Sequence, residues 1–182
     1  MRKTMKIHEK RAATILVFFW CFLLAACGTA THTAKFEPGF VPSETSVVSI
    51  GEITNVSPPY PDDEKVELKP ADELRTRLKQ KLQENGMLAS SGSAGTVYVL
   101  TPEIREYRPG SAFKRWLWPG YGSTILWVES VLREGAKKIG KFSTRHTVDA
   151  GGAYTAGAYQ SIFGAVAEDI VADLKKKLSV RK

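Results

Sequence analysis

His146 is the residue whose type best suits proton transfer, because an imidazole changes its charge near neutral pH. It precedes Asp149 by three residues, and with a serine nucleophile the two would form a Ser-His-Asp hydrolase site. Side chains three apart on a regular strand point to opposite faces, and the segment Ser91–Gly95 lacks the first glycine of a nucleophile elbow. His146 also lies in the alternating segment Phe142–Val148, which is typical of a packed histidine on a half-buried strand. A hydrolase using His146 stays open as an alternative.

The segment Gly135–Lys141 has the glycine and lysine spacing of a phosphate-binding loop. Phe142 stands where that motif needs a serine or threonine to hold magnesium. The segment also joins two predicted strands, whereas the motif joins a strand to a helix. We therefore expect no nucleotide, no other cofactor and no metal at this segment.

The loop Arg108–Gly122 has the composition of a contact surface. It holds two of the four tryptophans, three basic residues and three glycines in fifteen residues. Indole and phenol rings suit partly wet interfaces, and basic side chains can meet lipid headgroups, anionic glycans or a partner's carboxylates. In the alternative interpretation, the two tryptophans fold back over the sheet while the basic residues stay solvated. The candidate partner-contact residues are Phe113, Lys114, Arg115, Trp116, Trp118 and Tyr121.

The first 26 residues have the pattern of an export signal. Five basic residues precede an apolar run of thirteen residues, Ala12–Leu24, which is shorter than the roughly 20 residues of a membrane-spanning helix. Leu24-Ala25-Ala26-Cys27 resembles the bacterial lipobox, in which the cysteine sulfur receives a diacylglycerol and the new amino terminus an acyl chain such as palmitate. We expect cleavage before Cys27 and lipidation of Cys27. In the known sorting rule, an aspartate directly after the lipidated cysteine retains a lipoprotein in the inner membrane. Residue 28 is a glycine, which implies the periplasmic face of the outer membrane.

Removing this segment changes what the composition implies. The full chain of 182 residues carries a net charge of +7, but the mature chain keeps 21 basic and 18 acidic residues, a net charge of +3. That excess is too small to indicate a nucleic-acid partner. Cys21 leaves with the signal and Cys27 is lipidated, so no cysteine remains for a disulfide, a thiolate nucleophile or a zinc site.

The remaining chain predicts a tether over residues 27–45 and one α+β domain over residues 46–182. Ser46–Asn55 is rich in β-branched residues and predicts a strand. Pro70 can begin a helix that ends at Asn85-Gly86, and Ile162–Leu178 has helical spacing. The other predicted strands are Thr96–Thr101, extending toward Tyr107 with a bulge or edge position at Pro102, then the hairpin Ser123–Glu134 and Ile139–Asp149. The order β-α-β-β-β-α predicts a mixed sheet with two helices on one face.

Several of these segments also resemble a bacterial lipoprotein family known as a domain of unknown function, number forty-four-ten. The segments are Arg108–Arg115, Gly120–Ser123, the strand Thr124–Leu132, Gly140-Lys141, Gly151-Gly152 and Ala167–Ile170. The resemblance implies no catalytic residues. More distantly, the order of elements is similar to periplasmic lipoprotein domains that assemble secretion channels or activate cell-wall synthases.

The sequence therefore predicts a lipid-anchored envelope protein with a non-catalytic interaction or assembly domain. Its expected partners are the membrane, through the anchor, and an envelope protein or a peptidoglycan-associated component. Two alternatives remain open: an envelope hydrolase that uses His146 with a serine nucleophile, and a lipoprotein that forms rings with copies of itself through open sheet edges.

Overall fold

The computed structural model describes residues 28–60, 67–118, 121–149 and 157–179. The predicted signal segment and Cys27 lie outside these residues. In chain order the elements are strands β1 (Thr29–Phe36), β2 (Ser46–Ile50) and β3 (Thr54–Asn55), helix α1 (Pro70–Glu84), strand β4 (Thr96–Arg108), helix α2 (Ala112–Leu117), strands β5 (Thr124–Glu134) and β6 (Lys137–Val148), and helix α3 (Ala158–Leu178).

The strands form one mixed sheet in the order β1-β6-β5-β4-β2, with β3 also paired to β4. β2 and β3 run parallel to β4, and the other pairs are antiparallel. Helix α1 therefore makes the parallel crossover that a strand, helix and strand in sequence predict. The α+β class and the mixed sheet are confirmed. The single strand predicted over Ser46–Asn55 is two strands, separated by residues 51–53.

The two long helices pack on the same face of the sheet. Leu74, Leu78 and Leu82 of α1 are fully buried there, as their spacing of four predicted. Burying one leucine contributes about 1.5–3 kcal/mol, so these three positions alone fix which side of α1 faces the sheet. Helix α3 buries its apolar stripe in the same core, at Ile162, Val166, Ile170, Leu174 and Leu178.

The predicted tether is wrong over eight of its nineteen residues, because Thr29–Phe36 is an edge strand of the sheet. All eight residues pair with β6, from Thr29 opposite Thr147 to Phe36 opposite Gly140. The strand has no hydrophobic alternation because most of its side chains are exposed or small. Among the β1 side chains, only Phe36 places a large ring against the core. Its ring contacts that of Phe142 edge-to-face, with the ring centroids 5.5 Å apart. The domain therefore begins at least as early as β1.

Of the bulge or edge position predicted at Pro102, the structure has the edge position, since Pro102 pairs with neither β2 nor β3. The bulge of β4 lies further along, between Ile104 and Glu106. The carbonyl oxygens of Leu100 and Ile104 accept hydrogen bonds from residues 51 and 56, at 2.8 and 2.9 Å. Pro102 lies between Leu100 and Ile104, so its nitrogen points to the same side of β4, into the gap between β2 and β3. No strand pairs with β4 in this gap, so the missing N–H of proline costs no hydrogen bond there. The bulge reverses the alternation of β4, so that Tyr107 faces the helices.

Candidate functional site

The loop between β4 and β5 contains the short helix α2 and presents large apolar side chains to solvent. Phe113, Trp116 and Leu117 share one face of α2, and they are 64%, 65% and 40% exposed. Trp118 and Tyr121 follow the helix and are 63% and 71% exposed. We call these five side chains the aromatic surface. Their exposure contradicts the interpretation in which the tryptophans fold back over the sheet.

Arg115 stabilises the closed shape of this loop from its buried side. Its side chain is 2% exposed, and its Nη1 donates to the carbonyl oxygen of Gly122 and to Oγ1 of Thr124, both at 2.8 Å. The Thr124 hydroxyl donates in turn to the carbonyl oxygen of Pro109 at 2.7 Å. A guanidinium offers several N–H donors in a fixed plane, which suits two oxygens at the C-terminal end of the loop, and the Thr124 hydroxyl extends this network to Pro109 at the other end. The prediction that Arg115 is a solvated contact residue is therefore wrong.

Two glycines let the ends of the loop approach each other. Gly110 and Gly122 have left-handed φ angles of 64° and 72°, which side chains rarely allow. A Cβ on Gly110 would collide with the carbonyl oxygen of Gly122, and a Cβ on Gly122 would lie 2.7 Å from Cβ of Lys114. The Ser111 hydroxyl caps α2 by accepting from the backbone N–H of Lys114, at 3.4 Å. Lys114 is half-buried, so the loop is a preformed apolar surface with less exposed basic charge than predicted.

His146 is bound to a carboxylate, although not to the one that the sequence suggested. Its Nε2 lies 2.7 Å from Oδ2 of Asp169 on α3, and Nδ1 of His32 on β1 lies 3.7 Å from the same oxygen. Among the described residues, no serine hydroxyl hydrogen bonds to His146, and Asp149 is not its partner. The cluster therefore has the histidine and the carboxylate of a hydrolase site without a nucleophile. Its visible role is to connect β6 and β1 to α3.

The segment that resembled a phosphate-binding loop is the turn between β5 and β6 and the start of β6. Gly135, with a φ of 56°, begins a two-residue turn. Such hairpins favour glycine with positive φ. β6 and not a helix follows the turn, so the segment joins two strands, as the sequence predicted.

A shallow groove of about 270 Å³ lies on the sheet face opposite α1 and α3. Lys141 and Arg105 both bind Glu129 there, with nitrogen–oxygen distances of 2.9 and 3.0 Å. The hydrogen bond from Lys141 is the main cause that lowers the pKa of Glu129 from its ordinary value of 4.5, and Arg105 adds to it against the opposing effect of desolvation. These three charges satisfy one another, which favours a structural role.

Metal sites and membrane-spanning helices are both absent from the described residues. Within them, no group of three or more His, Cys, Asp or Glu side chains is arranged to hold a metal ion. None of the described helices is long and apolar enough to cross a membrane.

Residues 43–152 match the family model described as Domain of unknown function (DUF4410). The chain belongs to this family. The match confirms the family resemblance inferred from the sequence. It extends from just before β2 to just after β6, so the edge strand β1 and helix α3 lie outside it. Comparison with curated proteins gives no significant match.

Several solved structures are similar to this chain. A PelC dodecamer from Paraburkholderia phytofirmans has a TM-score of 0.51 at 15% identity, covering 85% of this chain and 100% of that chain. A second PelC dodecamer from the same organism, a variant, has a TM-score of 0.49 at 16% identity with the same coverage. A DUF4136 family protein from Bacteroides thetaiotaomicron has a TM-score of 0.42 at 10% identity, covering 84% of this chain and 98% of that chain. Identities this low show a likeness of fold alone.

Two residues were missed by reasoning from the sequence, one inside the DUF4410 match and one beyond it. Leu117 belongs to the aromatic surface, and the signal for it was present: Ser111 is a good helix cap, and residues 113, 116 and 117 share a helical face. Asp169 gave no such signal, because it lies 23 residues from His146 in the chain and meets it only when α3 packs on the sheet.

Proposed function

We propose that this DUF4410 protein is a lipid-anchored envelope protein whose domain acts without catalysis and binds another envelope component through the aromatic surface. The observation that carries the proposal is the exposure of five large apolar side chains on a loop that Arg115 and two glycines hold in one shape. Large contiguous apolar patches are rare on monomeric soluble proteins and mark sites of interaction.

Lipidation at Cys27 is supported by the lipobox-like residues Leu24–Cys27 behind a basic and an apolar segment. Gly28, the next residue, lies against β6, since a Cβ there would collide with the carbonyl oxygen of Thr147. The anchor is thus joined almost directly to the sheet. A glycine rather than an aspartate at residue 28 favours the periplasmic face of the outer membrane.

The contact role is tested by changing Trp116 and Trp118 together to serine and identifying crosslinked partners by mass spectrometry. We expect the partner to be lost while the circular dichroism spectrum and the unfolding midpoint stay unchanged, since both side chains are mostly in water. The matched control is Val41→Ser, which changes an 82% exposed apolar residue elsewhere. Unchanged crosslinking, or unfolding of the double variant, would contradict the proposed role.

The anchor is tested by Cys27→Ser in cells fed an alkyne-tagged fatty acid. We expect the label to disappear and the uncleaved precursor to accumulate, because both acylation and cleavage depend on the cysteine. Labelling is the decisive measurement, since an uncleaved signal segment can itself hold a protein at the membrane. Retention of the label in the variant would overturn lipidation at this residue.

Self-assembly is a second candidate, favoured by the open outer edge of β1. At the opposite edge of the sheet, β2 is partly covered by the segment after α1. The backbone N–H of Val48 donates to the carbonyl oxygen of Met87 at 2.7 Å, and the Val48 carbonyl oxygen accepts from the N–H of Ala89 at 2.9 Å. β1 instead leaves an eight-residue edge without a partner among the described strands. Open edges pair readily with further strands. The PelC likeness in fold is compatible with this candidate, since those structures are dodecamers.

The candidate predicts that the mature chain is larger than monomeric by light scattering. The backbone N–H of Glu37 donates to β6, at Ile139. N–H groups alternate in direction along a strand, so that of Ala34 points outward. Ala34→Pro should therefore reduce the oligomer to monomers while keeping the pairing with β6. A monomeric wild type, or an oligomer that Ala34→Pro leaves intact, would count against assembly through β1.

A further inference from the structure

The strand that continues from Cys27 and the loop that carries the aromatic surface lie at the same end of the sheet. Thr29, the first residue of β1, pairs with Thr147, and Thr147 pairs with Ile125 at the start of β5. Ile125 in turn pairs with Arg108, the last residue of β4. These four residues form one row across the sheet. The chain enters this row from Cys27 on one side, and the aromatic loop leaves it on the other.

We infer that the aromatic surface is seated in the interfacial layer of the membrane that holds the lipid on Cys27. This inference rests on the proposed lipidation and names the bilayer as the occupant of the proposed contact surface. Three inter-strand steps separate β1 from β4, a distance of about 14 Å. Cys27 lies two residues before Thr29, which adds at most about 7 Å. The acyl chains and the aromatic surface are therefore held close together at one end of a rigid sheet.

The distribution of exposed side chains along the strands agrees with this orientation. Within the described residues, every exposed large aromatic side chain belongs to the aromatic surface. The opposite end of the β5-β6 hairpin is charged, with exposed side chains at Arg133, Glu134, Lys137 and Lys138. The domain is thus apolar and aromatic at the end where the anchor emerges, and charged at the far end of this hairpin.

The chemistry of the aromatic surface fits a lipid interface. Tryptophan and tyrosine collect at the level of the headgroups, where the ring is shielded from water and the N–H or O–H group stays hydrated. None of the five side chains is charged, so no ion has to leave water when they enter the interface. The lipid on Cys27 also keeps this surface at the bilayer continuously, which raises its effective concentration there.

Tryptophan fluorescence can test this placement in the processed, lipidated protein. Its tryptophans are Trp116, Trp118 and Trp127, because Trp20 leaves with the signal segment, and mass spectrometry checks that cleavage. Trp127 is an internal control. Its indole N–H donates to Ser143 on the open sheet face at 3.0 Å, and it lies three residues into β5, about 10 Å from that end of the strand.

The protein is reconstituted in phosphatidylethanolamine and phosphatidylglycerol vesicles with or without phosphatidylcholine brominated on the upper acyl chain. Trp127→Phe, which keeps the two loop tryptophans, should lose about half of its fluorescence in the brominated vesicles if both rings lie at the interface. Trp116→Phe with Trp118→Phe, which keeps Trp127, should lose little. Equal intensities with and without bromine in Trp127→Phe would overturn the inference, as would equal quenching of the two proteins.

The outcomes also separate this inference from the proposed function. If the loop tryptophans are not quenched, yet the serine variants of Trp116 and Trp118 lose a crosslinked protein, the surface binds a protein and the bilayer inference fails alone. If Cys27 carries no fatty acid, the proposed anchor fails, and the inference fails with it. Quenching of the loop tryptophans in the lipidated protein, with Trp127 unaffected, supports the bilayer inference together with the proposed lipidation.

Discussion

Replacing Arg115 by alanine tests whether the buried guanidinium holds the aromatic surface in shape. The change removes the two hydrogen bonds from Nη1 to Gly122 and Thr124. Hydrogen bonds to charged groups contribute about 1.5–3 kcal/mol each. Both acceptors keep another bond, since the Gly122 oxygen also accepts from the backbone of Ser111 and the Thr124 hydroxyl also binds Pro109. We therefore expect the lower end of the sum, a loss of about 3 kcal/mol in the free energy of unfolding.

Urea unfolding of the chain from Gly28 onward, followed by circular dichroism, measures this loss. A decrease of that size corresponds to a melting temperature lower by about 6–12 °C for a domain of this length. The matched control is Arg133→Ala, which removes an exposed arginine that has no hydrogen bond or ion pair among the described residues, and should change stability by less than about 0.5 kcal/mol. If Arg115→Ala is no more destabilising than this control, the assigned role of Arg115 is wrong.

Three further outcomes follow from the structure. A chain that begins at Ser46 should be at least about 2 kcal/mol less stable in urea than one that begins at Gly28, because it lacks β1 and its inward phenylalanine; equal stability would restore the tether interpretation. The pKa of Glu129 is lowered in the folded state, so its stabilising effect is present above pH 4.5 and is lost as the pH falls through the lowered pKa. Wild type should therefore exceed Glu129→Gln in stability at neutral pH, and this difference should vanish in acid; a difference independent of pH would contradict the assignment. Gly110→Ala should cost about 2 kcal/mol more than Gly39→Ala in a thermal melt, because both glycines have positive φ but only the first faces a backbone oxygen; equal losses would mean that the loop ends can separate.

The two long helices could be predicted from the sequence because their information is local. Leu74, Leu78 and Leu82 share a face at a spacing of four, and any sheet that covers them buries that face. The order of strands and helices then predicted one parallel crossover and an antiparallel hairpin, which are the arrangements found. The mixed sheet could therefore be predicted from sequence patterns that each span fewer than twenty residues.

Strand β1 could not be predicted in the same way. Its residues carry no apolar alternation, because an edge strand whose side chains mostly face water gains little from burial. What makes it a strand is eight residues of backbone pairing with β6, more than a hundred positions later in the chain. Backbone hydrogen bonding does not depend on side-chain type, so composition gave no sign of it.

Arg115 was misplaced for a related reason. A basic residue between two aromatic residues is expected in water, because charged side chains are rarely buried without partners. Its partners are the oxygens of Gly122 and Thr124, which reach the Arg115 side chain only because the loop closes on itself. The same closure decides that Trp116 and Trp118 point outward, which their apolar character alone did not predict.

The sequence by itself predicted an export signal and lipidation at Cys27, and it determined the α+β class and the positions of both long helices. Each depends on residues that are close together in the chain. The tertiary structure decided that Asp169 is the partner of His146, that β1 belongs to the sheet, and that the aromatic surface is exposed at the end of the sheet where β1 begins. These features depend on strand register and loop closure, which bring together groups that are far apart in the chain.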